Sequence, residues 1–126
     1  MTADPPLSIK FSARTDGVRV DLAGTSSFDN TVAYWLAIVD HIQAKPPKSL
    51  LLVDRLRGEP LSADQWKQLV ESLRNLGLER VRIAHVKPDG LEQIEYCQLY
   101  ALEAGFSARV FEDEAQADLW LRHAAF

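Results

Sequence analysis

The strongest constraint on the fold is a short run near the middle of the chain. Residues 49–54 read SLLLVD, apolar at four successive positions. A strand with one wet face alternates between apolar and polar residues, whereas an unbroken run marks a strand buried on both faces. Helical patterns stand on either side of it. The first, over 28–44, is ended by Lys45-Pro46-Pro47, because proline clashes with a continuing helix. The second, over 62–77, opens on Ser62 with Gln65 three residues on, a capping-box pair, and closes at Gly77. A strand over 80–86, a helix over 90–104 ending at Gly105 and a short strand over 108–111 follow. Asp113 then caps a last helix, with Gln116 in the capping-box position.

Upstream, Leu7, Ile9, Phe11 and Ala13 alternate with polar residues, and Val18, Val20 and Leu22 repeat the pattern. Asp16-Gly17 between them suits a tight hairpin turn, with the glycine taking the positive φ. The predicted order is β-β-α-β-α-β-α-β-α. Helical crossovers between strands imply a parallel sheet, to which the hairpin adds an antiparallel edge. The expectation is an α/β fold with a mixed, mainly parallel five-stranded sheet and four helices. With 126 residues and no internal linker, residues 1–126 form a single domain.

Composition narrows the function classes. The net charge of −4 argues against nucleic acid as the main partner, since phosphate binding needs surplus Lys and Arg. The longest apolar run, VAYWLAIV over 32–39, is far short of the ~20 residues of a bilayer span. The opening MTADPPLSIKF lacks a basic start and an apolar core, so no signal peptide is expected and a cytoplasmic location follows. The single cysteine, Cys97, shares a helix face with Ile94 and Ala101 and reads as a small core residue. His41, His85 and His123 stand on separate elements without metal-ligand spacing. The six glycines are scattered at turns and helix ends rather than clustered as a phosphate loop. No cofactor is expected.

The stretch VRIAHV over 81–86, then a helix, then AGFSARVFEDEAQADLWL over 104–121 resembles the SpoIIAA-like family of the STAS fold. Phe111, Asp113, Ala117, Trp120 and Leu121 carry the likeness, and the element order extends it over nearly the whole chain. The resemblance implies a small bacterial protein without an assigned activity, on a fold similar to the CRAL-TRIO lipid-binding domain. Anti-sigma antagonists of this fold carry a phosphorylated serine in an Asp-Ser-Ser/Thr-Gly motif after the central strand. Here that loop reads Asp54-Arg55-Leu56-Arg57-Gly58, with no serine. The resemblance therefore implies a non-enzymatic binding or regulatory module without that phosphorylation switch. The alternative it implies is a carrier of a small apolar ligand.

Two groups of residues are candidate sites. In open α/β sheets, ligands sit beyond the carboxyl ends of parallel strands. Asp54 and Arg55 end one such strand, and His85 and Lys87 lie at the end of the next. A histidine with an acid and two bases around it could bind an anion or shuttle a proton; solvated strand ends have the same composition. An enzyme built on this edge ranks below both binding readings. The second group lies on the first helix. Phe28, Val32, Trp35, Leu36, Val39 and Ile42 read as its core face, and Tyr34, Ile38 and His41 as a second stripe beside it. Together they cover about twice the ~100° arc that a one-sided helix buries. The expectation is that Tyr34, Ile38 and His41 meet another chain, a second copy giving a homodimer. Tyr96 and Tyr100 form a further pair outside the core.

Overall fold

The computed structural model describes residues 6–123. The opening residues on which the reading against a signal peptide rests lie partly outside that range. A hairpin of β1 (Ser8–Arg14) and β2 (Gly17–Ser26) leads into α1 (Phe28–Ala44) and the central strand β3 (Ser49–Gly58). Then come α2 (Ala63–Ser72), β4 (Arg82–Val86), α3 (Glu95–Glu103), β5 (Ser107–Phe111) and α4 (Glu114–His123). Short 3-10 turns at Leu78–Arg80 and Leu91–Ile94 lead into β4 and α3. The five strands lie side by side in chain order, β1 and β2 antiparallel and the rest parallel. No helix among the described residues is long and apolar enough to cross a membrane.

Strands added in one direction by right-handed crossovers place every crossover helix on the same side of the sheet. The side chains of α1, α2 and α3 accordingly share one core with Val20, Leu22, Leu50, Leu52 and Ile83. On the opposite face, Ala117 and Leu121 of α4 close over Leu51, Val53, Ala84 and Val86. The LLLV run thus supplies both cores, Leu50 and Leu52 to one and Leu51 and Val53 to the other. One helix cannot cover five strands, and the uncovered part of its face near β1 and β2 is polar. There Arg19 pairs with Asp21 and Glu114, Arg14 with Asp118, and Arg55 with Asp21.

Two expectations change. On α1 the buried face is Thr31, Tyr34, Trp35, Ile38, Val39 and Ile42. Tyr34 and Ile38 are 1% and 0% exposed, whereas Leu36 is 53% exposed. The buried arc is centred on Thr31, whose hydroxyl donates to the Ser27 carbonyl at 2.7 Å and so enters the core satisfied. The face inferred from the apolar residues alone is rotated from this one towards Leu36. The Tyr34/Ile38 stripe is therefore core within the single chain and not a surface for a second copy. His41 is exposed, with its ring stacked on Phe11 of β1 at 4.2 Å.

At the hairpin, Asp16 rather than Gly17 adopts the left-handed conformation, with φ 58°. Gly17 is needed for another reason. A Cβ there would stand 2.3 Å from Ser49 Oγ and 2.4 Å from the Ser49 carbonyl oxygen, against a buried residue of the central strand. Gly17→Ala must push β2 from the start of β3. The expected cost is about 1–3 kcal/mol, read as a lower urea midpoint at unchanged m-value; an unchanged midpoint would show that the two strands part freely.

Candidate functional site

β3 runs further than 49–54, and this extension makes the site. Its residues alternate between the two faces, so Asp54 turns into the core beneath α1 and α2, and Arg55 turns to the opposite face. In the parallel register Leu52 lies opposite His85 and Val53 opposite Val86, which brings His85 and Lys87 beside Asp54. Asp54, His85 and Lys87 are 4%, 2% and 3% exposed. Three of the four residues expected at the sheet edge therefore converge, as a buried cluster. Arg55 does not join them: it reaches Asp21 at 3.3 Å on the other face.

The cluster is held by directed bonds. His85 Nε2 lies 2.9 Å from Asp54 Oδ2, and Lys87 Nζ donates to Asp54 Oδ1 at 3.3 Å and to the Leu56 carbonyl at 2.9 Å. The Leu56 N–H donates to Asp54 Oδ1 at 3.0 Å. Burial alone would raise the Asp54 carboxyl. The His85 hydrogen bond, the charges of His85 and Lys87 and the Leu56 N–H outweigh it and hold the group below the ordinary carboxylate range. An ionised carboxylate only accepts, so His85 Nε2 carries the proton of that bond. The other ring nitrogen, Nδ1, is buried without a partner. The Trp35 ring meets the imidazole edge-on, centroids 6.4 Å apart.

Two narrow spaces flank this cluster. A crevice at the strand ends, so narrow that a water-sized body can centre itself in only about 10 Å³, is lined by Thr31, Tyr34, Asp54, Lys87 and Gln93 among others. Beneath α2 and α3 lies an apolar cavity of about 440 Å³, so thinly spread that a water-sized body can centre itself in only about 20 Å³. His85, Trp35, Trp66, Cys97, Ala101 and Ala108 help line it. The space exists because Cys97 and Ala101 of α3 face Ala108 of β5 with small side chains, leaving the interior short of volume there. Burial, aided by the Asp54 charge, pushes the Cys97 thiol up to about 12, so it stays protonated and is no nucleophile at neutral pH. Burial and Asp54 likewise raise the Tyr34 hydroxyl well above its usual value. The Trp35 indole N–H opposes that rise slightly but makes no hydrogen bond of good geometry.

Among the described residues there is no group of three or more His, Cys, Asp or Glu that could hold a metal ion. Residues 55–58, expected as a loop, are the end of β3 and carry no serine, and Ser62, at the end of the loop that follows, is used as a helix cap. Its Oγ accepts from the Gln65 N–H at 3.1 Å, and Gln65 Oε1 accepts from the Ser62 N–H at 2.9 Å. Sequence reasoning placed Tyr34 at the surface and did not connect Trp35 with His85. The threonine-centred face of α1 explains Tyr34; Trp35 was already on the core face, and its contact with His85 is a tertiary one that no local pattern shows. Compared with known proteins, the chain matches no family model and no curated protein.

Because the folded pKa of Asp54 lies below its unfolded value, its contribution to stability is fully present above about pH 4 and is lost as the pH falls through the folded pKa. Asp54→Asn leaves Lys87 buried without its counter-charge. At pH 7 it should cost about 3–5 kcal/mol, and below pH ~4 its stability should fall less steeply than the wild type's. Urea unfolding at a series of pH values checks both; parallel pH profiles would show that Asp54 is not the titrating group.

Proposed function

We propose that the chain is a non-enzymatic binding module of the SpoIIAA-like kind, acting in the cytoplasm through protein contacts made by the outer face of α3. The observation that carries this reading is where exposed apolar surface collects. Of the five exposed large apolar side chains among the described residues, Tyr96, Leu99 and Leu102 stand on this one nine-residue helix, each about half exposed. Tyr100 is half-buried beside them, its ring stacked on Tyr96 at 6.4 Å. Contiguous apolar surface of this sort marks a contact site, and tyrosine suits one because its ring buries area while its hydroxyl stays hydrogen-bonded.

The charges around the patch select the partner. Glu92, Glu95 and Glu103 are exposed about it, and no Lys or Arg occurs between residues 88 and 108. A second copy would set acid against acid, so self-pairing is disfavoured. The complementary partner is an amphipathic segment with an apolar stripe bordered by Lys or Arg. The arrangement inside the sheet is consistent with a role that is not catalytic. Asp54, His85 and Lys87 are bonded to one another, and the nearby thiol is protonated.

A second reading has its own observation. The apolar cavity beside His85 Nδ1 suits a small apolar ligand with one hydrogen-bonding group, as the CRAL-TRIO likeness would imply. Such a ligand fits only if α3 lifts from the sheet. Native mass spectrometry of the protein purified from its own host would show the retained mass.

The main reading is tested with a synthetic amphipathic helix carrying a leucine stripe and lysines, compared with its glutamate counterpart. The lysine peptide should bind at micromolar concentration, weaken with salt and shift the amide resonances of residues 91–103. The glutamate peptide should not bind. Leu99→Asp, at an exposed position, should weaken the lysine peptide at least tenfold while the fold persists. Equal binding of both peptides, or an unaffected variant, would refute the assignment.

A further inference from the structure

At the amino ends of the parallel strands, opposite the cluster just described, lies an open groove of about 910 Å³. It is continuous with a second one, of about 570 Å³, through Arg14, Asp16 and Lys48, which line both. Six basic side chains border the two, Arg14, Lys45, Lys48, Arg80, Arg82 and Arg122, against two acids, Asp16 and Asp118. In a chain whose net charge is −4, this end is therefore locally positive by about four charges.

Part of that charge is already used. Arg82 donates to the Trp120 and Leu121 carbonyls at 3.0 and 3.1 Å, capping the end of α4, and lies over the Trp120 ring. Arg14 and Arg122 both pair with Asp118. Lys48 and Arg80 are different. Both are exposed, and neither forms an ion pair or side-chain hydrogen bond with any described residue. The backbone brings them together, because the Arg82 N–H donates to the Lys48 carbonyl at 3.1 Å and Arg80 lies two residues before Arg82. Offsetting helix ends accounts for Arg82 and leaves these two cations without a counter-charge.

We propose that this groove is a binding site for a small dissolved anion of the phosphate-ester class carrying at least two negative charges. Lys48 and Arg80 are its direct ligands, and the neighbouring cations supply the surrounding potential. A guanidinium fork beside an ammonium matches the oxygens of a phosphate group. The anion is taken as dissolved rather than membrane-borne, because none of the exposed large apolar side chains among the described residues lines the groove to anchor it to a bilayer. The site lies at the other end of the strands from Asp54 and makes no use of α3, so it stands independently of the proposed protein contact.

Inorganic pyrophosphate is the probe. Titrated into the full chain, it should bind saturably and shift the amide resonances of residues 14–17, 48–49 and 80–82. The double variant Lys48→Gln/Arg80→Gln removes two exposed charges that nothing in the fold uses; it should bind at least tenfold more weakly, lose the shifts at residues 48 and 49, and keep an unchanged circular dichroism spectrum. Lys67→Gln, on the exposed face of α2, should bind as the wild type does. No saturation at millimolar pyrophosphate, shifts elsewhere, or equal affinity of the double variant would overturn the proposal. So would a Lys67→Gln variant weakened as much as the double variant.

Discussion

The burial of β3 on both faces is the constraint on which the rest of this structure depends. A strand covered on one side tolerates polar residues at alternate positions; β3 has none between Leu50 and Val53. Two helical layers are therefore required, and the chain supplies them unequally, three helices on one face and one on the other. The richer layer makes the deeper core. Because β3 continues past Val53, it carries Asp54 into that deeper core rather than into water. A carboxylate there is costly unless charge and hydrogen bonds compensate it. β4, held beside β3 by the parallel register, delivers both compensating groups, His85 and Lys87. The site is thus a consequence of how far the central strand reaches.

The fold was legible in the sequence because its punctuation is local. Pro46-Pro47, the Ser62–Gln65 capping box and the Gly105 stop act within a few residues, and the structure has an element boundary near each; the second helix, expected to run to Gly77, ends at Ser72, and Gly77 instead precedes the 3-10 turn at Leu78. The direction a side chain faces is less local. Arg55 looked like a companion of Asp54 because the two are neighbours in sequence, yet adjacent strand residues point apart. The buried face of α1 is centred on Thr31, whose hydroxyl is satisfied inside its own helix and which the face inferred from apolar residues alone leaves out. This one misreading carried Tyr34 and Ile38 to the outside and Leu36 to the inside. Gly17 was recognised as necessary, but its necessity comes from Ser49, 32 positions away in the chain, which no local pattern shows. Only at Gly17 does a tertiary neighbour decide; at Arg55 and on α1 the difference lies in which way a side chain faces within its own strand or helix.

α3 differs from the other helices in what its two faces carry. Its inner face is made of Cys97 and Ala101, and its outer face of Tyr96, Leu99 and Leu102. Hydrophobicity therefore hardly distinguishes its two sides, whereas on α2 Trp66, Leu69 and Val70 are buried and Lys67, Gln68 and Glu71 are exposed. Small inner residues give shallow packing, and that same choice leaves the thin cavity beside His85. One compositional feature thus underlies both the contact surface proposed on the outside and the underfilled space within. A helix held by little buried area is also the element that opens at least cost.

The charge distribution follows the same axis as the strands. Parallel strands with antiparallel helices align the helix N-termini at the carboxyl edge and the C-termini at the amino edge. Asp29, Asp64, Glu95 and Glu114 occupy the first turns of the four helices, where negative charge complements the dipole. The basic residues at the opposite edge, where the helices end, continue that polarity. Dipole complementarity explains a charge only while it lies within the first or last turn. Arg122 and Arg82 meet that test at the end of α4, one from within its last turn and one by donating to its carbonyls. Lys48 stands just before a strand and Arg80 closes a 3-10 turn before another, and neither side chain bonds a helix carbonyl among the described residues. Their charge is surplus to what the helices require, and an acidic protein that keeps surplus cations side by side at one edge holds them against its own mean field. The arrangement makes physical sense when an anion from solution completes it.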